Sequence, residues 1–588
     1  MSGPRALVLL SLALVAFRLA SAALVVVQPG FTDAFYYASV ARRLAHGEGL
    51  TADFVWNFIE APNFAPLPVP SHRFWMPLTS VVQAVGIVAL EPALGTFRAA
   101  QAAIVAVGAF VPAAAYLAAR AIGGSSRAAL VAAALTGIGG GAFAPAWVTL
   151  DSFAIAALVG TLFFVAFERA AVGDVRGGAL AGLCVGLLFL ARAEGALFGV
   201  ALLWLAVRAG SRRAGLTGSL VALAIGGAWL ARGVSLGASP DLMGRTALLA
   251  RYEDFFAIRP TGAADLATAV GVRVAALASD LGLVVISLVL FLVVPLALAL
   301  RARWRLPAVR AFAGLALLLY LVESLVWTLH ATRGSYFHSL AALFPFAMAL
   351  AAVGGEIFFA ARAPGLARVA VAGTLGASSI LALLALALRA RWRLPAVRAF
   401  AGLALLLYLV ESLVWTLHAT RGSYFHSLAA LFPFAMALAA VGGEIFFAAR
   451  APGLARVAVA GTLGASSILA LFALALWGST YNASYKARSA ALDAIPPGPF
   501  LAIDAAAWRW IADRPVVVTP ADGPDVASCA AARYGVRSVV LEPAHFSSYD
   551  DLYRGGSLPW LGPPTDRDGI RVYPIRGQLG CSILEGRG

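Results

Sequence analysis

Residues 28–77, which follow the first apolar helix, are rich in aromatic and ionisable side chains. This stretch contains one carboxylate near its start and four side chains that we expect to contact substrate: Asp33, Tyr36, Tyr37, His72 and Arg73. A carboxylate near the membrane face can take a proton from an acceptor hydroxyl, so Asp33 is a candidate general base. It has a structural alternative, because Thr32 and Asp33 precede the amphipathic stretch 34–45 and could cap a helix there.

Two further groups of polar side chains are predicted to lie at the same membrane face. Asp151 opens an apolar run and is either a second catalytic acid or the N-cap of the helix it opens. The loop 332–338 contains side chains that could bind a phosphate or pyrophosphate, or could anchor the chain at the interface: Arg333, Tyr336 and His338. We interpret Arg192 and Glu194 as a self-contained pair in a tight hairpin.

The composition places these residues in a membrane protein. Of 588 residues, 61% are hydrophobic and 12% are charged, so the chain is far more apolar than an ordinary soluble domain. Its apolar runs repeatedly approach the roughly 20 residues that span a bilayer as a helix, without strand-like alternation. The sequence therefore predicts a helical bundle and excludes a β-barrel.

The charge and the cysteines limit the choice of partners and cofactors. The formal charge of +15 comes almost entirely from arginine, since Lys486 is the only lysine. Such residues mostly mark cytoplasmic ends of spans, so we expect membrane lipids and no nucleic acid as partners. Three cysteines make no metal site, although Cys529 and Cys581 could pair in an oxidising compartment. The sequence specifies no cofactor and leaves a divalent metal open.

Arginine clusters orient the predicted spans. Residues 6–27 resemble a signal peptide, but Arg18 interrupts the apolar run and favours a retained helix. Either alternative places the loop 28–77 outside. We interpret residues 76–91, which are short for a span, as interfacial. Further spans are predicted at 98–119, 127–147, 152–169, 177–191, 195–208, 216–233 and 281–300.

The chain contains a nearly exact internal duplication. Residues 301–388 recur at 389–476, an offset of 389 − 301 = 88, and Leu384 matched by Phe472 is the one difference. Structural repeats are far more divergent, so the duplication is very recent or an assembly error. The first copy holds three predicted spans, at 309–328, 340–361 and 369–388. One copy leaves the C-terminal segment outside after eleven spans, whereas two copies leave it inside after fourteen.

The segment after Trp477 has a different character. Short β-rich runs alternate with helical stretches, at 500–503, 505–512, 516–518, 525–533 and 538–541. We therefore divide the chain into a transmembrane catalytic domain, 1–477, and a small soluble α/β domain, 478–588. The small domain has no recognisable catalytic constellation, so we predict that its role is accessory.

A series of motifs runs through roughly residues 1–388. After the first span they are Asp33-Ala34-Phe35-Tyr36-Tyr37, Ala41-Arg42-Arg43-Leu44, Gly47-Glu48-Gly49-Leu50, Phe74-Trp75-Met76-Pro77-Leu78, Arg98, Tyr116-Leu117-Ala118-Ala119-Arg120 and Leu190-Ala191-Arg192-Ala193-Glu194-Gly195. Their order resembles the GT-C superfamily of polyprenyl-phosphate-dependent glycosyltransferases. Within it the chain is most similar to the group of protein O-mannosyltransferases, aminoarabinose transferases and rhizobial galacturonosyltransferases.

This resemblance implies an all-α polytopic membrane protein, a GT-C-like helical bundle with a small C-terminal α/β domain. It also implies inverting transfer of a hexose or pentose from a polyprenyl-phosphate donor to a lipid, glycan or protein acceptor of the cell envelope. The implied location is the plasma membrane, with the active site on the non-cytoplasmic face. By matched motif, Asp33 would be the base, Asp151 a second acidic residue, and Arg333 with His338 the contacts of the carrier phosphate.

A multi-pass lipid or solute transporter, or a flippase, is the alternative function. Such a protein would also have many spans and intramembrane arginines. We would expect it to carry broken helices in matched halves and polar residues near the middle of the membrane. In this sequence the polar residues cluster at the predicted outer face, which favours the transferase.

Overall fold

The structure, a computed structural model, describes residues 3–58, 60–73, 75–139, 143–237, 253, 256–258, 266–287, 292–328, 335–360 and 454–581. Within these ranges, seven helices are long and apolar enough to cross a membrane. The helices form a bundle that is joined to a small mixed α/β unit near the C-terminus. The predicted fold class, an all-α polytopic membrane protein with a small C-terminal α/β domain, is confirmed.

The helical bundle is formed by the first fourteen helices that the structure describes. They are α1 (Gly3–Leu24), α2 (Thr32–Ala45), α3 (Leu78–Ala109), α4 (Val111–Ala121), α5 (Ser126–Ile138), α6 (Phe153–Ala171), α7 (Val175–Ala191), α8 (Gly199–Ala206), α9 (Arg212–Ser235), α10 (Leu266–Ser287), α11 (Val293–Ala302), α12 (Pro307–Leu325), α13 (Ser335–Ala360) and α14 (Leu454–Trp477).

Small residues allow the helices of this bundle to approach closely. A Cβ added to Gly178 of α7 would lie 2.2 Å from the carbonyl oxygen of Ala214 in α9. One turn further along, a Cβ added to Gly182 would lie 2.1 Å from the carbonyl oxygen of Gly218. Lipid tails are as apolar as the side chains, so the hydrophobic effect does not drive helices together within the membrane. Helices in lipid therefore associate largely through such close packing. The high Ala and Gly content of the spans therefore serves the packing of the bundle.

Helix α3 is a hairpin. Gly95 has φ 73° and ψ 161°, a conformation that a glycine adopts without steric cost. Beyond this residue the chain returns along itself, since a Cβ on Gly86 would lie 2.5 Å from the carbonyl oxygen of Ala99. The first arm, residues 78–94, contains nearly all of the stretch that we predict to be interfacial.

That first arm lies beside α2. The Ser80 hydroxyl donates to the carbonyl oxygen of Tyr37 at 3.0 Å, and at the far end His46 Nε2 lies 2.8 Å from Glu91 Oε2. The two helices therefore run in the same direction, with the amphipathic α2 packed along the arm. The interfacial position of the first arm of α3 remains a prediction.

The span predicted at 127–147 is wrong in its second half. Helix α5 ends at Ile138 because Gly139 takes a left-handed φ of 94° and its amide closes the helix on Leu135. The described residues 143–152 then form turns and bends. Trp147 folds back toward the helix, where its indole donates to the Thr136 carbonyl oxygen at 3.1 Å. The segment after Gly139 is apolar enough to be predicted as part of a span, although the chain turns there.

The span predicted at 281–300 is also wrong in its boundaries. The structure has two helices in this region, α10 and α11, and α10 begins at Leu266. Charged side chains lower the hydropathy of α10, but α12 satisfies them. Arg273 donates to the Leu325 carbonyl oxygen at 2.9 Å, and Asp280 accepts a hydrogen bond from Ser324 at 2.7 Å.

The described bundle contains one set of the three spans that the duplication repeats. Helices α12 and α13 come from the first copy, whereas α14 belongs to the second copy. Leu454 corresponds to residue 366 of the first copy, since 454 − 88 = 366. One set of three spans is therefore sufficient to build the described bundle.

Deletion of residues 361–448 is expected to preserve the fold. The deletion removes 88 residues and joins the first copy, up to Ala360, to the equivalent position of the second copy. Every residue that the structure describes is retained. We expect the 500-residue chain to insert, to purify as a monodisperse species and to keep the thermal stability of the full chain. A shortened chain that aggregates would contradict this prediction.

The C-terminal unit shares a sheet with the loop 28–77. The strands are β1 (Thr51–Ala52), β2 (Phe54–Val55), β3 (Val69–Pro70), β4 (Phe500–Ala502), β5 (Val516–Val518), β6 (Ser538–Leu541), β7 (Thr565–Arg567) and β8 (Ile570–Pro574). The six-stranded sheet has the order β2-β5-β4-β6-β8-β7, and β2 pairs parallel to β5. Helices α15 (Ala483–Ala490), α16 (Ala505–Ala512), α17 (Pro524–Tyr534) and α18 (Asp550–Tyr553) complete the unit. The strands and helices predicted after Trp477 are thereby confirmed.

Ion pairs and a common core strengthen the connection between loop and C-terminal unit. Asp53 of the loop accepts from Arg509 of α16 at 2.6 Å, and Arg42 of α2 lies 2.9 Å from Asp513. Buried aromatic residues of the loop and of the C-terminal unit lie in one hydrophobic cluster. Cys529 and Cys581 form a disulfide. A shared sheet requires both segments to lie on the same side of the membrane, which agrees with the single-copy count of spans.

Candidate active site

Asp33 lies in the first turn of α2 and does not cap this helix. The N-cap residue is Phe31, and the helix start has no side-chain capping bond. The Asp33 carboxylate instead accepts a hydrogen bond from Nη1 of Arg192 at 3.4 Å. Its side chain is 24% exposed, so a substrate hydroxyl could reach it. The capping alternative is therefore wrong, and the carboxylate is available for proton transfer.

Asp151 lies two residues before α6, in the turn that follows α5. Its Oδ1 accepts a hydrogen bond from the Ser152 amide at 2.5 Å, which holds the turn locally. Its Oδ2 is buried and has no hydrogen-bond partner among the residues that the structure describes. The side chain is fully buried. One oxygen therefore has a structural role, and the other remains available to a ligand.

His338 of α13 joins the two aspartates. Its Nδ1 lies 3.5 Å from Oδ1 of Asp151 and 3.1 Å from Oγ of Ser152. The imidazole stacks on Phe153 at the start of α6, with ring centroids 4.0 Å apart. One ligand atom each from Asp33, Asp151 and His338 lie within 4.8 Å of one another. Three distant segments thus place two carboxylates and an imidazole in one cluster.

Arg192 connects this cluster to a further carboxylate. It follows α7 in an extended conformation, with φ −153°, which starts the tight turn at Ala193–Phe198. Its guanidinium lies 3.4 Å from Asp33 and 3.3 Å from Glu194. The predicted Arg192–Glu194 pair is present, but the contact with Asp33 is absent from the sequence prediction. The available signal in the sequence was that Arg192, Glu194 and Asp33 are charged residues predicted to lie at the same membrane face.

Burial changes the protonation of both aspartates. Desolvation raises the pKa of Asp33 to about 6, and the neighbouring Arg192 cation opposes the rise. Desolvation raises the pKa of Asp151 further, to about 8, and the negative charge of Asp33 adds to this effect. Near neutral pH the first carboxyl is mostly ionised and the second is mostly protonated. Two acids with separated pKa values can divide the roles of base and proton holder.

Tyr37 is the loop aromatic that approaches the cluster. Its hydroxyl is fully buried and has no hydrogen-bond partner within the described ranges. It interacts electrostatically with Arg192, Asp151 and Asp33. The aromatic ring stacks on His72, with centroids 6.0 Å apart. The structure therefore places the Tyr37 phenol beside the carboxylates, and its role in substrate binding stays a prediction.

The other predicted loop ligands are occupied by contacts within the protein. The Tyr36 hydroxyl donates to Glu60 at 3.2 Å and accepts from the His72 amide at 2.7 Å. Burial lowers the pKa of His72 to about 3, and its ring nitrogens contact Ser80 and the Trp75 carbonyl oxygen. Arg73 donates to the carbonyl oxygens of Glu60 and Leu236. These three side chains hold the loop against the bundle.

The remaining predicted ligands fall into two cases. Tyr336 is buried at the start of α13 with its ring 6.1 Å from that of Tyr320. It interacts electrostatically with Asp280 and Glu323 and is not one of the residues of the carboxylate cluster. Arg333 lies outside the described residues. The predicted phosphate site therefore contributes His338 to the cluster.

Of the comparisons with known proteins, the one with solved structures found similar proteins. No family model matches the sequence, and no curated protein matches it. ArnT from Cupriavidus metallidurans bound to undecaprenyl phosphate is similar in structure, with a TM-score of 0.53 and 17% identity over 98% of each chain; its apo state gives the same values. The apo oligosaccharyltransferase of Archaeoglobus fulgidus has a TM-score of 0.48 and 13% identity, covering 92% of this chain and 69% of the other. The chain is thus similar in fold to ArnT over nearly its whole length.

Proposed function

We propose that the chain is a membrane glycosyltransferase that moves a sugar from a polyprenyl-phosphate donor to a cell-envelope acceptor. The observation that carries this proposal is the convergence of Asp33, Asp151 and His338 within 4.8 Å. Such a cluster can both remove a proton and stabilise negative charge. The fold supports the choice of donor, because ArnT, which is similar in fold, has been solved bound to undecaprenyl phosphate.

Asp33 is the general base in this mechanism. It is partly exposed and next to Arg192, which favours its ionised form, whereas the fully buried Asp151 is mostly protonated. The acceptor oxygen attacks the anomeric carbon while its proton passes to Asp33. The bond from this carbon to the phosphate oxygen breaks, and the polyprenyl phosphate leaves with the electron pair. Attack opposite the leaving group inverts the configuration.

Binding of the donor is assigned to charged and hydroxyl side chains. We assign contacts of the carrier phosphate to Arg333 and His338, and a hydrogen bond to donor or acceptor to the Tyr37 hydroxyl. The sugar is a hexose or a pentose, and the acceptor is a lipid, glycan or protein. The reaction takes place at the non-cytoplasmic face of the plasma membrane, on the catalytic domain 1–477, with the domain 478–588 as an accessory.

A divalent cation fits the same cluster. Asp33, Asp151 and His338 offer two carboxylates and an imidazole, a ligand set that suits several divalent ions. The buried Oδ2 of Asp151, which has no partner in the described part of the chain, could bind such a cation once the carboxyl group gives up its proton. When bound, such an ion would neutralise the negative charge that develops on the leaving phosphate.

Mass spectrometry of a deletion strain and a reconstituted reaction together test the proposal. The strain is expected to accumulate a polyprenyl-phosphate sugar and to lack one envelope glycan. Purified protein in lipid vesicles should convert this donor to free polyprenyl phosphate and a new glycoside. A transporter would move the lipid and leave the bond between sugar and phosphate intact. An intact donor after incubation with acceptor would refute the transferase.

The pH dependence of the reaction should report Asp33. A base must be ionised, so kcat/KM is expected to rise with pH through about 6, where the pKa of Asp33 lies. The measurement is the rate of polyprenyl phosphate release in vesicles from pH 4.5 to 8. A rate that is already constant over this whole range, as the ordinary aspartate pKa of about 3.9 would give, would contradict burial of the base.

A further inference from the structure

A second carboxylate pair lies behind the active-site cluster, inside the bundle. Glu323, on α12, is fully buried. Its Oε2 lies 2.7 Å from the hydroxyl of Ser335 and its Oε1 contacts the hydroxyl of Ser339, both on α13. The same Ser335 hydroxyl lies 2.5 Å from Oε1 of Glu194. One serine oxygen therefore joins two carboxyl groups.

The hydrogen count at Ser335 requires an extra proton. A serine hydroxyl has a single proton and can donate it to only one of two acceptors. An ionised carboxylate is acceptor-only, so two ionised carboxylates would leave one short oxygen–oxygen contact without any hydrogen. Contacts of 2.5 and 2.7 Å are typical of hydrogen bonds between hydroxyl and carboxyl oxygens. One of Glu194 and Glu323 is therefore protonated and donates to Ser335.

The surrounding charges decide which glutamate holds the proton. Arg192 lies 3.3 Å from Glu194 and stabilises its ionised form. No cation of the described chain lies within ion-pair distance of Glu323, and its hydrogen-bond partners are the two serine hydroxyls. An isolated buried carboxylate is unfavourable in a low-dielectric interior and takes up a proton instead. Glu323 is therefore the protonated member of the pair.

Among the described residues, the elements packed around Glu323 bring no cation within ion-pair distance of its carboxyl group. From the turn after α7 it faces Glu194, with Arg192 behind, and from α13 it faces Tyr336. On α10, Arg273 donates to the Leu325 carbonyl oxygen at 2.9 Å and Asp280 accepts from the Ser324 hydroxyl at 2.7 Å. Ionisable groups of α6 and α11 lie at the other end of α12, where Glu168 binds the Ala308 amide. His338 of α13 contacts Asp151 and Ser152.

We propose that Glu323 is a protonated positioning residue whose neutral carboxyl, through Ser335 and Glu194, keeps the Arg192 guanidinium in contact with Asp33. Ionisation of Glu323 would place a second negative charge beside Glu194 and draw Arg192 toward this pair. Asp33 would then lose the cation that favours its ionised, proton-accepting form. The catalytic consequence rests on the proposed function, whereas the protonation of Glu323 does not.

Infrared spectroscopy tests the protonation without any reaction. Glu323 recurs as Glu411 in the second copy, so the full-length variant carries Glu323→Gln and Glu411→Gln. The two proteins are compared in lipid at neutral pH by subtracting the spectrum of this variant from that of the unmodified protein. We expect the difference spectrum to contain the carbonyl band of a buried protonated carboxylic acid. The matched control, Glu194→Gln, should instead remove a carboxylate band. Absence of the carbonyl band in the first difference spectrum would overturn the proposal, even in a protein with full activity.

Kinetics test the positioning role. Changing both glutamates to alanine should lower kcat about tenfold, on the scale of one lost hydrogen bond, and glutamine should restore it. We expect the activity of the unmodified protein to decline at alkaline pH as Glu323 ionises. The glutamine variant, which cannot ionise there, should not show this decline. If the glutamine variant keeps this alkaline decline, or is as slow as the alanine variant, Glu323 does not act through its proton. A failure of transfer by the unmodified protein would refute the proposed function and leave the infrared result standing.

Discussion

Asp33→Asn is expected to lower the turnover number by about 10²–10⁴-fold, the usual contribution of a general base. The amide has nearly the same shape as the carboxylate and its oxygen can still accept from Arg192, but it cannot take a proton at neutral pH. Folding and donor binding should therefore be retained. The measurement is single-turnover release of polyprenyl phosphate by the variant in lipid vesicles, with donor binding assayed separately.

Two further variants make this result specific. Glu48→Gln changes an exposed carboxylate of the same loop, which pairs with Arg43 at the surface, and should alter the rate by less than about twofold. Asp151→Asn imitates a protonated acid and should cost less activity than Asp33→Asn. Near-normal transfer by Asp33→Asn would remove the central claim, and the reverse order of the two aspartates would move the base to Asp151.

Arg192→Gln is expected to destabilise the protein by about 3–5 kcal/mol, the usual cost of removing one partner from a buried ion pair. The guanidinium contacts both Asp33 and Glu194, and its side chain is only 12% exposed. Within the described ranges no other arginine contacts either carboxylate. Its removal leaves negative charge in the interior without balance. The free energy of unfolding, measured by denaturant titration in detergent micelles, reports the loss.

Arg169→Gln is the matched control for Arg192→Gln. Arg169 also pairs with an aspartate, Asp174, at 2.9 Å, but its side chain is 60% exposed. Exposed pairs contribute about 0–1 kcal/mol, so this change should have little effect on stability. Equal and small effects of the two substitutions would mean that the carboxylates around Arg192 are neutral and that it does not balance their charge.

Several features could be predicted because they depend on neighbouring residues. Apolar runs and arginine clusters predicted a polytopic helical bundle, and alternating β-rich and helical stretches predicted the elements of the C-terminal unit. Boundaries were less predictable. Gly139 ends a helix inside an apolar run, and α10 contains Arg273 and Asp280, which α12 satisfies. A hydropathy average over many residues does not detect a single helix-ending glycine. It also does not detect hydrogen bonds that another helix makes to a charged side chain.

The candidate site was predicted in part. Asp33, Asp151 and His338 stand out as polar residues at the ends of spans, and the topology places them at one membrane face. The sequence predicts Arg192 only as a local partner of Glu194, and it predicts no role for Glu323, which lies inside an apolar run. An acid in a membrane helix that has no local partner is itself a signal of a buried polar contact.

The sequence by itself determined the membrane class, the concentration of polar residues in the loop 28–77, and the strands and helices of the C-terminal unit. Only the tertiary structure decided that Arg192 contacts Asp33, that β2 joins the C-terminal sheet, and that α14 of the second copy lies in the same described bundle as α12 of the first. The physical reason is the range of the interactions. Helix and strand formation depend on side chains a few positions apart, whereas these contacts depend on how distant segments pack. Two copies with almost identical sequences have the same local preferences, so the sequence by itself does not decide which copy supplies α14.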